Sequence, residues 1–532
     1  MKGHRASNLA AARSRSTRFH GRKKVLIVNC YVDETRQPIA RKNKVPQTIG
    51  PVQLAGWFSP EFCEIVLYNE LHSGPLQDEH MLGWPDMVVL TGLTTSVDRM
   101  LHITAYARTR NPRVIVVAGG HVVRALPRFC ARYFDYCCQG DVEEIRDVVD
   151  ECWGRAYTTE QMTPRYDLAP WIGFLGYVEG SRNCNFRCSF CTLTGEGRGY
   201  QSYTANEIRT QILALGKRKL LTFVDNNFYG SDRQGFLARL DVAREMREAG
   251  YFRGWAALVT EDFFFQPRNV QRAKEAGCDA LFSGVESFDL EWLRKMKKSQ
   301  NVRAPQVQQM RDCLEAGIVF LYGMLLDVTS RRIKDLRNEL EFILSTPAIA
   351  LPAYLSIPIP IPGTPLFHEF VKADRILPLT KVRDLDSTTI SVRPMDSLEQ
   401  TVAFVRDLQS LRGYRTKALQ HSAAFALRYR RSLSQRQILI AWANAALLCT
   451  PLLMTSASQR SGGRRERTFV STTEPLDEFY QPAFRVDSRY AGHFEPTLVT
   501  DARGGLAEAV AEDLFRPAIH IGRNEFNMPE PL

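Results

Sequence analysis

The first 24 residues contain no acid, and the whole chain holds a single apolar run near membrane-spanning length. Residues 1–24 carry Lys2, Arg5, Arg13, Arg15, Arg18, Arg22, Lys23 and Lys24, eight of the formal net charge of +11. A segment with so little to bury reads as a solvated tail over residues 1–22. Its short apolar stretch at Leu9–Ala12 is no secretory core, so a cytoplasmic, reducing setting is expected. Without that tail the chain is close to neutral, and no nucleic-acid partner is expected. The apolar run is "ILIAWANAALLCTPLLMTSAS" (438–458). Asn444 and Pro451 interrupt it, and each would leave polar groups to satisfy in hydrocarbon. It reads as a buried helical hairpin, with peripheral membrane contact as runner-up because Arg428, Arg430, Arg431 and Arg436 precede it. Solenoid repeats are also missing.

The chain has 532 residues, 44% of them apolar, enough for about three soluble domains. Residues 23–157 alternate short β-branched runs with helical patterns. The runs are "KKVLIVNC", "CEIVLYNE", "DMVVLTG", "RVIVVAGGH" and "YCCQGD". Alternation of this kind predicts βαβ units in a doubly wound, Rossmann-like parallel sheet. Such sheets bind ligands beyond the carboxyl ends of their strands, where this sequence places Thr91, Gly92, Gly119, Gly120 and Gly140. A linker with Pro164 and Pro170 leads to a second βα series over 165–385. Its strands are expected in "IGFLGYVEG", "LLTFVDNN", "GWAALVTE", "ALFSGVES", "IVFLYGMLLD" and "ALPAYLSIPIP". Six strands with helical crossovers predict a partial (β/α)6 barrel with its chemistry at the carboxyl ends of the strands. Residues 386–532 are expected to be helical and irregular.

The stretch "SRNCNFRCSFCT" follows the first of those strands and holds Cys184, Cys188 and Cys191. A structural zinc wants a fourth ligand near by, and none accompanies them. A redox C-x-x-C at Cys188–Cys191 would leave Cys184 idle. A cubane [4Fe–4S] cluster on three thiolates fits best, because one iron stays open for another ligand. Phe190 would shelter the cluster from water. The other nine cysteines lie mostly in apolar patterns and read as buried free thiols.

In this context the motif resembles the radical S-adenosylmethionine (SAM) signature. "GSRNCNFRCSFC", "FVDNNFYG", "GVESFDLEWLRKMKKSQN" and "PIPGTPLF" resemble the class with an N-terminal cobalamin-binding domain, which includes hopanoid C-methylases and the anaerobic magnesium-protoporphyrin cyclase. The similarity covers roughly residues 23–385. It implies that SAM's amino and carboxylate groups fill the fourth iron site. It also implies SAM contacts from Asp225, Asn226 and Asn227, from Thr260 beside Glu261, and from Glu286 and Ser287, with a cobalamin over the glycine-rich strand ends. The activity implied is C-methylation of an unactivated carbon in a small, lipid-like or large apolar molecule, with flavodoxin or ferredoxin as electron donor. The rivals are a radical cyclase or oxidase and, from another class, a non-catalytic iron–sulfur or corrinoid-binding protein. Two departures stand out. The loop "YVDETRQPIARKNK" (31–44) has no histidine for cobalt, and His121 sits where a nucleotide tail is expected. The fifth strand keeps a single glycine where the family often has more, and Pro362-Gly363-Thr364 reads as a turn.

Overall fold

Why the runs of Val, Ile and Leu become buried strands is plain in a computed structural model of the chain. It describes residues 21–30 and 48–448, except Arg132 and short stretches between 378 and 389, and two later strands at 496–500 and 506–510. The chain divides into two compact units. One comprises residues 1–172, 360–391 and 469–532; the other comprises 173–359 and 392–468.

In the first unit all five expected strands form: β1 (Lys23–Asn29), β2 (Cys63–Asn69), β3 (Met87–Thr91), β4 (Ile115–Gly119) and β5 (Tyr136–Cys138). They are parallel, in the order β2-β1-β3-β4-β5. Parallel strands are covered on both faces, which is why each reads as a continuous apolar run rather than an alternating one. The helix Val97–Arg110 contributes Met100, Leu101, Ile103 and Tyr106 to the core that encloses Val28, Val88 and Leu90. Strand order reverses between β1 and β3, the switch point at which such sheets open a crevice beyond their carboxyl ends. Residues 360–391, assigned from sequence to the barrel segment, belong instead to this unit. The helix Pro365–Lys372 buries Phe367 in the same core, with Val371 and Ile376 packed against it.

The second unit is built on β6 (Leu175–Val178), β9 (Leu220–Phe223), β10 (Gly254–Val259), β11 (Cys278–Glu286), β12 (Val319–Leu325) and β13 (Tyr354–Ser356). A two-residue ribbon, β7 (Ser181–Arg182) with β8 (Gln201–Ser202), lies outside that sheet. The six strands are parallel, in the order β13-β12-β11-β10-β9-β6, so each strand pairs with its predecessor as in a barrel left open. Local signals place the crossovers. Thr204 and Glu207 form a reciprocal capping box on the helix Ala205–Leu215. Gly250, Gly277 and Gly317 follow three other helices at φ +79°, +92° and +82°, a left-handed turn that a side chain would strain.

Three further helices, Leu398–Ser410, Arg415–Tyr429 and Gln435–Asn444, pack on the half-barrel. Tyr429 Oη donates to the Ala348 carbonyl at 2.6 Å, and Gln437 Nε2 donates to that of Gly317 at 2.6 Å. The first half of the apolar run is therefore a helix over the barrel, ending at Asn444. Residues 449–458, on which the second arm of the expected hairpin falls, lie outside the described residues. Among the described residues no helix is long and apolar enough to cross a membrane. The final segment is not wholly irregular, as expected, but pairs Pro496–Thr500 with Leu506–Val510 in an antiparallel hairpin.

Candidate active site

The cysteine loop is shaped by its neighbours before any ligand arrives. It leaves β6 at Val178, goes out through Ser181–Arg182 and returns through their ribbon partner Gln201–Ser202. Asn183 takes a left-handed φ of +61°, and its Nδ2 donates to the Gly199 carbonyl at 3.0 Å, closing the loop. Arg239, wholly buried, donates to the Phe228 carbonyl at 2.9 Å and to Tyr200 Oη at 2.9 Å, which fixes the far side of the ribbon.

Cys188 is buried, whereas Cys184 and Cys191 are partly exposed. Burial lifts the Cys191 thiol to about 11 and raises that of Cys184, against backbone hydrogen bonds at Leu193 and Phe186 and, more weakly, the Lys298 charge. Among the described residues no three His, Cys, Asp or Glu side chains are gathered to grip one metal ion. Three thiolates on a cubane each meet a different iron, so a spread donor set suits a cluster better than a single ion.

The stretch after β11 grips this loop. The Ser189 N–H donates to the Met296 carbonyl at 3.2 Å, and Ser189 Oγ donates to the same carbonyl at 3.3 Å. Gln300 Nε2 reaches Cys188 Sγ at 3.8 Å. Lys298 Nζ lies 5.6 Å from the centre of the Phe190 ring and pairs with Glu286 Oε1 at 2.6 Å. A register shift between Gly284 and Glu286 leaves Glu286 at φ +64°, and such bulges re-aim side chains. A Cβ on Gly284 would lie 2.3 Å from that carboxylate and 2.8 Å from Lys298 Nζ, so glycine makes room for the pair.

The residues expected to meet SAM have partners within the protein. Asp225 is buried and accepts from the Gly180 N–H and Ser181 Oγ, both at 2.7 Å. Burial lifts its carboxyl to about 7 against those hydrogen bonds and the Arg239 guanidinium. Asn227 Nδ2 donates to Asn185 Oδ1 at 2.8 Å, and Asn227 Oδ1 accepts from the Thr260 N–H at 3.3 Å. Asn226 is exposed. Thr260 Oγ1 donates to Asp262. Ser287 Oγ donates to Glu339 at 2.6 Å and accepts from Arg331 at 3.0 Å. Asp225, Asn227, Thr260 and the cysteine loop are thus brought together through Asn185 and Gly180, while Ser287 faces a buried Arg331–Glu339 pair.

Three acceptors stand out here, of which sequence reasoning named Glu261 only as the neighbour of Thr260 and passed over the other two. Glu261 Oε2, Gln300 Oε1 and Asn301 Oδ1 are buried without a partner among the described residues. Glu261 accepts from Ser283 Oγ at 2.9 Å through its other oxygen, and burial lifts its carboxyl to about 7. Orphaned buried acceptors are costly unless a ligand brings donors. An ammonium and ribose hydroxyls, which SAM carries, are such donors, so the residues present fit it. The stretch "KKSQN" resembles the family, but nothing in its spacing marks Gln300 or Asn301 as inward-facing.

In the first unit the glycines at the strand ends close on one another. Gly120 has φ +101°, and a Cβ there would lie 2.9 Å from the Gly92 carbonyl oxygen. A Cβ on Gly92 would lie 2.8 Å from that of Ser96. The Gly140 N–H donates to the Glu144 carboxylate. Gly119 meets nothing closer than 3.7 Å, and Thr91 offers its carbonyl to the Cys30 N–H at 2.7 Å. Close packing of the chain on itself demands glycine at Gly92 and Gly120, and it leaves these positions without side chains that would bar a large flat ligand. Residues 31–44, the loop without histidine, lie outside the described residues.

Residues 178–340 match the Radical SAM superfamily, and residues 78–149 match the B12 binding domain. The chain is 26% identical over 386 residues to the hopanoid C-2 methylase of Rhodopseudomonas palustris, covering 66% of this chain and 70% of that protein. It is 24% identical to the bacteriochlorophyllide d C-8(2)-methyltransferase of Chlorobaculum tepidum, covering 56% of this chain and 72% of that one. Among solved structures it resembles the cobalamin-dependent S-adenosylmethionine radical enzyme OxsB with aqua-cobalamin and S-adenosylmethionine bound. The TM-score is 0.54 at 16% identity, over 83% of this chain and 81% of OxsB.

Proposed function

We infer that this chain, which carries a B12-binding domain ahead of a radical SAM domain, is a cobalamin-dependent radical SAM C-methyltransferase. The observation that carries the reading is the joining of those two domains in one chain, similar over most of its length to a methylase. When bound, the cluster with SAM supplies hydrogen abstraction from an unactivated carbon, and the corrinoid supplies a methyl carrier.

The chain's own residues bind, orient and exclude water. Cys184, Cys188 and Cys191 would hold the cluster, with Phe190 and the Lys298 stem covering it. Asn226, Thr260 and the free acceptors of Glu261, Gln300 and Asn301 would receive SAM's donors. Asp225 and Asn227 hold the loop that presents the cysteines, Glu286 orients Lys298, and Ser287 locks the turn after β11. Thr91, Gly92, Gly119, Gly120 and Gly140 would bring backbone against the corrinoid, with no protein histidine from residues 31–44 on cobalt. The proposed substrate is a large apolar or lipid-like molecule, because the relatives bear hopanoid and bacteriochlorophyllide names. The proposed electron donor is a flavodoxin or ferredoxin, and the proposed setting is cytoplasmic with peripheral membrane contact.

The test is a product ratio. Methyl transfer spends one SAM on 5′-deoxyadenosine and a second on S-adenosylhomocysteine. With a true substrate the two products should form in about equal amounts while substrate mass rises by one methyl group. Sustained 5′-deoxyadenosine alone would mark a cyclase or oxidase and overturn methyl transfer.

A further inference from the structure

Lys298 is a buried cation beside the cysteine loop. It belongs to the turn at Met296–Gln300 that clasps the cysteine loop. Its ammonium lies over Phe190, the neighbour of Cys191, and is held by Glu286 at 2.6 Å. Glu286 reaches it only because a bulge puts that residue at φ +64° and because Gly284 has no side chain in the way. A strained backbone and an enforced glycine spent on one ion pair point to a use for the charge. The positive end of the pair is the end that meets the cysteine loop, at the Phe190 ring beside Cys191. Two residues on from Lys298, Gln300 Nε2 points at Cys188 Sγ at 3.8 Å, within hydrogen-bonding range for sulfur.

We propose that Lys298, oriented by Glu286, and Gln300 set the reduction potential of the cluster held by Cys184, Cys188 and Cys191, making it easier to reduce. The proposal rests on the cluster reading above. Reduction adds one electron from an external one-electron donor to a centre already bearing three thiolates. A nearby cation and an N–H aimed at sulfur stabilise the reduced charge more than the oxidised one, and a dry setting strengthens both effects. In this role Lys298 and the Nε2 group of Gln300 act through the cluster, whereas the Oε1 of Gln300 is the atom proposed to meet SAM.

The test is a potentiometric titration of the full chain after anaerobic cluster reconstitution, read from the electron resonance of the reduced cluster. Gln300→Met keeps the chain length of the side chain and removes the donor. Lys298→Met combined with Glu286→Met removes the pair together, so that no lone charge stays buried. Lys298→Arg keeps the charge. At a fixed potential the reduced-to-oxidised ratio should fall about tenfold in the double variant, equivalent to about 59 mV for one electron, and about threefold in Gln300→Met. Lys298→Arg should stay close to wild type. Midpoints in Gln300→Met and the double variant that equal or exceed wild type would overturn the proposal and leave the cluster reading standing. A wild-type chain that takes up no cluster would instead overturn the cluster reading itself.

Discussion

Arg99 and Glu70 form the most deeply buried ion pair among those described, and removing the arginine should loosen the first unit by a calculable amount. Arg99 is 1% exposed and Glu70 0%. Arg99 Nε and Nη2 donate to the Glu70 carboxylate at 2.7–3.1 Å, and Nη2 also donates to the Leu76 carbonyl at 2.9 Å. Glu70 Oε1 further accepts from the Leu76 N–H at 2.7 Å. The pair therefore ties the end of β2 and the turn after it to the helix Val97–Arg110. Arg99→Met keeps most of the apolar stem but strands a carboxylate in the core. Breaking a buried pair from one side costs about 3–5 kcal/mol. At about 1.4 kcal/mol for each tenfold change, amides that exchange through opening of this unit should exchange roughly 100- to 4,000-fold faster.

Hydrogen exchange read by mass spectrometry on the full chain resolves this, because peptides from β2 and Val97–Arg110 report the first unit separately from the half-barrel. The double variant Glu70→Leu with Arg99→Met leaves no uncompensated charge and should recover much of the loss, since apolar replacements of a buried pair are often neutral. A single variant that speeds exchange less than tenfold, or a double variant as damaged as the single, would refute the reasoning.

Two further expectations concern the half-barrel. Asp225 and Glu261 are both lifted to about 7 by burial, so their contribution favours the fold at pH below about 4 and is lost as pH rises through 7; thermal melts should show wild type losing stability from pH 5 to 7, with a flatter profile in Asp225→Asn. Gly284→Ala should cost about 1–3 kcal/mol by overpacking against the Glu286–Lys298 pair, and denaturant midpoints indistinguishable from wild type would show that the pair has room to move.

Much of the fold was legible because both sheets are parallel and buried. All eleven expected strands of the two sheets exist, since a run such as "KVLIVN" has only one way to hide its side chains on both faces. Helix ends were legible where a single residue forces the stop, as at Gly250, Gly277 and Gly317. Where the reading failed, a local pattern stood for a tertiary choice. "PLFHEFVK" is an amphipathic helix wherever it lands, and its sequence does not say that Phe367 will join the first sheet's core and not the barrel's. The hairpin at 496–510 is short and weakly patterned, so no periodicity announced it.

The site divides along the same line. The spacing of Cys184, Cys188 and Cys191 can be read directly because it is a property of one loop, and their proposed role as cluster ligands starts from it. Asp225, Ser287 and Glu286 carry ligand-like chemistry in sequence, yet the fold binds the first to Gly180 and Ser181, the second to the buried pair of Arg331 and Glu339, and the third to Lys298. A carboxylate in a strand-end motif is ambiguous between touching the ligand and shaping the loop that does, because both uses ask for the same acceptor in the same place. What separates them is whether an oxygen is left over once internal donors are counted. By that count Glu261, Gln300 and Asn301 have acceptors to spare and Asp225 has none, so the residues best supplied to meet a ligand's donors are two that the motif did not single out and one it touched only as a neighbour of Thr260.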